Sequence, residues 1–77
     1  MIAKWIEHFP THWYLDVKTH GYDVHCRPHA GGGWASMVDT ENGRCLFFDR
    51  CDTLVEAEAN AAVAYKLILI AALNEVE

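Results

Sequence analysis

This chain of 77 residues is short of the residues that usually announce chemistry. Ser36 is its one serine, and no nucleophile elbow surrounds it. The three cysteines, Cys26, Cys45 and Cys51, are an odd and sparse set. Small secreted disulfide scaffolds carry a dense, even count, so a reducing cytoplasm is the expected compartment. Basic residues are also few: six (Lys4, Lys18, Arg27, Arg44, Arg50, Lys66) against eleven acidic ones, for a net charge of −5. They are scattered, whereas direct nucleic-acid binding needs a basic patch to neutralise phosphates. The first ten residues lack the continuous apolar core of a signal peptide. The run from Ala59 to Leu73 contains Asn60 and Lys66 and falls short of the about 20 residues that span a bilayer. A soluble, intracellular protein that touches neither membrane nor nucleic acid directly is therefore expected. Two prolines and an apolar fraction of 52% describe a folded chain. Its length suits a single domain, residues 1–77, in which every apolar stripe must find a cover.

What is present is a strand and helix pattern. Tyr22 to Arg27 alternates, with Tyr22, Val24 and Cys26 on one face and Asp23, His25 and Arg27 on the other, wet one. Gly31-Gly32-Gly33 breaks the run, Trp34 to Val38 forms the next, and Glu41-Asn42-Gly43 breaks again. Cys45 to Phe48 follows, with Cys45 and Phe47 opposed to Leu46 and Phe48, so both faces carry large apolar groups. Upstream, Trp13, Leu15 and Val17 alternate as a further strand, or as the first half of one long bent strand with Tyr22 to Arg27. Ile2, Trp5, Ile6 and Phe9 fall at helical spacing, which predicts a short amphipathic helix ended by Pro10, or an irregular arm. Thr53-x-x-Glu56 is a capping box that starts a helix running to about Asn74.

The expected fold is α+β: an antiparallel sheet of three or four strands packed against one long C-terminal helix, with a short N-terminal helix or arm. A helix of that length overhangs a seven-residue strand. Its second half, Leu67 to Leu73, is apolar on every side, and one sheet cannot bury all of it. The N-terminal arm, a second copy of the chain, or another protein must cover that end.

The chemistry-bearing residues have bland readings beside the sharp ones. His25, Cys26 and His29, with Cys45 and Cys51, contain zinc-ligand types. Strand alternation sends His25 and Cys26 to opposite faces, so buried thiols for Cys26 and Cys45 and solvated histidines are the expectation, with no metal and no cofactor. Cys51 paired with His20 or His29 is the remaining nucleophile and base combination, and no enzyme is expected. The glycine run precedes a strand, where a phosphate loop would precede a helix, so it reads as a hairpin connection. Trp5 and Trp13 read as core, and Trp34, at the start of a strand beside the glycines, as an interface residue. Asp39, Glu41, Asp49, Asp52 and Glu56 fall at strand ends, turns and the first helical turn. With Trp34 they form the candidate partner-binding set, an acidic edge facing a basic protein surface.

Tyr22 to Ala64 resembles the core of HicB-type antitoxins. The resemblance is carried by Gly32-Gly33-Trp34-Ala35 and by Asp52-Thr53-Leu54-Val55-Glu56-Ala57, and it implies binding to a small ribonuclease toxin. In size, acidity and architecture the chain is also similar to small phage-encoded inhibitors, notably anti-CRISPR proteins. That likeness implies a rigid, non-enzymatic domain that docks on a nuclease or CRISPR surveillance complex and blocks its nucleic-acid-binding surface. A homodimer through the C-terminal helix is compatible with either.

Overall fold

Each strand of this protein pairs with its neighbour in sequence, because every connection between strands is short. The computed structural model describes residues 4–9, 12–15 and 21–74, without the side chains of His8 and Phe9. Five strands, β1 (Trp5–Phe9), β2 (His12–Leu15), β3 (Tyr22–Pro28), β4 (Trp34–Thr40) and β5 (Cys45–Cys51), form one antiparallel sheet in the order β1-β2-β3-β4-β5. Helix α1 (Leu54–Asn74) follows and packs chiefly on β3, β4 and β5.

Strands β3 and β4 are in register from Tyr22 opposite Thr40 to Pro28 opposite Trp34. The alternation thereby sets Val24, Cys26, Ser36 and Val38 on the helix side, all essentially without solvent contact. Ala57, Ala61 and Ala64, at i, i+4 and i+7, are the buried stripe of α1. Their small side chains let the helix approach until the Ser36 hydroxyl donates to the Ala57 carbonyl at 2.6 Å. Thr53 Oγ1 accepts from the Glu56 N–H at 3.2 Å, as a capping threonine should, and the same hydroxyl lies 3.1 Å from the Glu56 carboxylate.

The α+β architecture and the long helix agree with the sequence, but the sheet has five strands. The N-terminal segment supplies the fifth: Trp5 to Phe9 is strand β1, not a helix, and Ile2 lies outside the described residues. Two turns of helix are marginal without docking. The extended form instead gains backbone hydrogen bonds along β2, with Trp5 opposite Leu15 and Ile6 opposite Tyr14. β2 and β3 are separate strands, paired with each other at Trp13 opposite Cys26 and Tyr14 opposite His25.

The alternation read for β5 is broken by a bulge. Val38 faces Phe47 and Asp39 faces Cys45, which leaves Leu46 as an extra residue. Leu46 therefore lines the same groove as Phe47 and the helix, while Phe48 stays on the other face beside Met37. Trp5, Trp13 and Leu15 pack at the margin of the core. The N-terminal segment thus widens the sheet, and Leu67, Ile70 and Leu73 remain exposed. Among the described residues no helix is long and apolar enough to cross a membrane.

Candidate functional site

The junction of β5 and α1 is built by a tight corner. Gly32 and Gly33 have φ of 97° and 75°, conformations that β-carbons disfavour. A β-carbon on Gly33 would sit 2.4 Å from the Cys51 carbonyl oxygen. The glycines therefore let the β3–β4 loop lie against the end of β5, where Arg50 Nε donates to the Gly32 carbonyl at 2.7 Å. Trp34 is opposite Cys51 and packs half-buried against the core. Arg50 also bonds Asp52 at 3.0 Å, and the Asn60 amide, one turn after Glu56, donates to Asp49 and to Cys51 Sγ, each at 3.3 Å.

Four residues of the predicted partner-binding set, Trp34, Asp49, Asp52 and Glu56, thus gather at this corner. Burial raises the Cys51 pKa; the Asn60 hydrogen bond opposes the rise, and the Asp49 and Glu56 charges reinforce it. Val55 projects from the first helical turn, 75% exposed. The other two predicted residues are elsewhere. Glu41 is in the β4–β5 turn at the opposite end of β4, where its carboxylate accepts from the Gly21 N–H at 3.1 Å. Asp39 points to the face away from the helix.

Beside the corner, β5 and α1 border an open groove of about 520 Å³. Asp49 and Asn60 mark its polar end, and Leu46, Phe47, Val63 and Leu67 its apolar length. β5 is an edge of the sheet.

The face away from the helix holds a polar chain that the sequence did not announce. His25 is 8% exposed, not solvated. Its Nε2 lies 2.7 Å from Asp39 Oδ2 and its Nδ1 lies 3.2 Å from His12 Nε2. An Asp39 carboxylate accepts, so His25 donates to it through Nε2 and turns Nδ1 to His12. Tyr14 stacks on His12 at 4.6 Å and on His25 at 5.7 Å between ring centroids. The other Asp39 oxygen is buried without a hydrogen-bond partner among the described residues. One signal was available in sequence: His12 and Tyr14 alternate on one face, and His25 belongs to the next strand.

No protein-family model, curated protein or solved structure matches this chain. Its surfaces have to speak for its work. His25 and Cys26 do face opposite sides, Cys26 is buried, and Cys45 is exposed where a buried thiol was expected. Among the described residues no cluster of three or more His, Cys, Asp or Glu side chains is placed to hold a metal ion. His29 Nδ1 accepts from the Gly31 N–H at 2.9 Å inside the β3–β4 loop, and His20 is outside the described residues. The histidine chain can hold or pass a proton, but Ser36 lies across the sheet, bonded to the helix. The β5–α1 corner, by contrast, offers three carboxylates against one guanidinium, next to exposed apolar side chains.

Proposed function

We propose that this protein is a non-enzymatic, protein-binding inhibitor of the phage or mobile-element kind. It occludes a nucleic-acid-binding surface of a host nuclease or CRISPR surveillance complex. The observation that carries the reading is the corner formed by Trp34, Asp49, Asp52, Val55 and Glu56. There acidic groups border an exposed apolar residue on rigid elements, the combination that engages a lysine- and arginine-rich surface. The strand-helix core fits a body that works by shape and charge.

The test is expression of the chain in hosts carrying defined CRISPR systems, scored by recovery of phage or plasmid entry. Inhibition by purified chain is expected to be stoichiometric and weaker at high salt, because opposed surface charges are screened. Asp49→Asn with Asp52→Asn, which leave the Thr53–Glu56 cap in place, should abolish it. Inhibition at substoichiometric dose would overturn the reading. Neutralisation of a co-expressed small ribonuclease toxin, with every CRISPR system unaffected, would replace it by the HicB-like antitoxin role.

A further inference from the structure

The geometry points to a second copy of this chain as the cover for the β5 edge and the exposed stripe of α1, in a two-fold dimer whose sheets join β5 to β5. Val63, Leu67 and Ile70, at i, i+4 and i+7, run along the helix beside that edge and are 58, 60 and 45% exposed. Leu46 at 37% extends the patch across the groove. Together they offer on the order of 350 Å² of apolar surface, within the about 300–600 Å² range for the largest patch on a monomer. Adding the backbone and side chains of β5 brings the seam towards the roughly 800 Å² per partner of a standard stable interface.

Self-complementarity selects the occupant. An antiparallel edge meets its own copy across a two-fold axis perpendicular to the sheet, and that operation keeps both helices on the same face. The α1 stripes then close over the seam, apolar against apolar, above a continuous sheet of two five-stranded halves. Charge fixes the register. An axis through Phe48 sets Phe47 opposite Asp49 and brings the Arg44 end of one strand to the Asp52 end of the other. An axis through Asp49 would oppose two carboxylates directly, which destabilises a strand pair. The bulge at Leu46 limits regular pairing to the part of β5 after it. The helices therefore supply most of the buried surface. The seam shares Asp49 and Asp52 with the surface assigned to inhibition, and the two surfaces are distinguished at Leu67, which belongs to the seam alone.

Sedimentation velocity and light scattering on the full chain across the micromolar range are expected to give twice the 8.7 kDa chain mass. Leu67→Glu alters a side chain that is already exposed, so circular dichroism should report an intact fold. Dimer dissociation should nevertheless become at least about tenfold easier. Arg44→Glu and Asp52→Arg should each weaken the dimer, and the double exchange should recover it. A wild-type chain that stays monomeric at high micromolar concentration overturns the proposal. So does a dimer indifferent to Leu67→Glu, or a species that grows beyond two copies. Sedimentation reads the dimer and phage recovery reads inhibition, and Leu67→Glu lies outside the acidic corner, so the two readings fail separately.

Discussion

At Cys26 the sheet and helix exclude water completely, and the thiol is pushed up to about 12 by burial first, then by the charges of Glu58 and Cys51. The folded state therefore holds this proton more tightly than the unfolded one does. Its contribution to stability is complete below the ordinary thiol value of 9.0 and is lost as pH rises towards about 12. Urea unfolding at stepped alkaline pH should show that decline, and Cys26→Ala should flatten it. The same burial separates the three thiols. At pH 8 a thiol reagent such as Ellman's should titrate Cys45 quickly, whereas Cys26 and Cys51 should react on unfolding, since the thiolate is the nucleophile. His25 sets a second expectation. His25→Phe keeps the ring but leaves the buried Asp39 carboxylate without its 2.7 Å partner. It should cost about 1–3 kcal/mol in chemical unfolding, and the added Asp39→Leu should recover part of the loss. The burial of Cys26 was legible from alternation alone. That of His25 was not, because its cover comes from His12 and Tyr14, and a strand pattern tells which face a residue takes without telling what lies on it. Cys45 failed as a buried thiol because the bulge displaces the alternation at the start of β5.

Helix α1 was the most legible element, since Thr53 and Glu56 mark its start and the alanine-rich pattern continues without Pro or Gly to Asn74. Thr53→Ala is expected to cost about 1 kcal/mol, read as a lower urea midpoint, because the Glu56 N–H loses its acceptor. The loop between β3 and β4 carries more than the flexible connection that its glycines suggest. Gly33→Ala combines a positive φ with a clash against the Cys51 carbonyl. It should destabilise by at least about 1–3 kcal/mol, while alanine at Gly31, which has no positive φ, should cost much less. β1 was misread because five residues satisfy two patterns at once. Trp5, Ile6 and Phe9 fit a helical stripe, yet Trp5 packs beside the core and Ile6 is half exposed opposite Tyr14, as alternation in a strand requires. Pairing with β2 decided between them, and a partner strand is a tertiary fact that local spacing does not contain.

For the molecule as a whole, the helix lies over β3, β4 and β5, and the hairpin of β1 and β2 extends the sheet beyond them. Amide hydrogen exchange should grade accordingly. The amides of β3 and β4, paired on both sides under the helix, are expected to be the slowest, and those of β1 and β2 faster by orders of magnitude. Equal protection in the two hairpins would mean that the sheet opens as one unit. Fold class and helix length were legible from periodicity, because a pattern in apolar residues records which surfaces must be buried. The candidate site was legible in part. Trp34, Asp49, Asp52 and Glu56 converge because β5 delivers them to one corner. Asp39 and Glu41 diverge because one points through the sheet to its far side and the other sits at the far end of β4. Position at a strand end, a turn or the first helical turn singled out all six as candidates without saying which end or which face.

The order of the elements has a consequence for synthesis. Each strand can pair with its predecessor as soon as it emerges from the ribosome, but the alanine face that seals the sheet is translated after all five strands. A nascent chain whose five strands have all left the ribosome can form every hairpin and still shows water the side of the sheet that bears Val24, Val38 and Phe47. Until α1 as far as Tyr65 has left the ribosome and docked, the growing chain shows an uncovered apolar sheet face that favours aggregation.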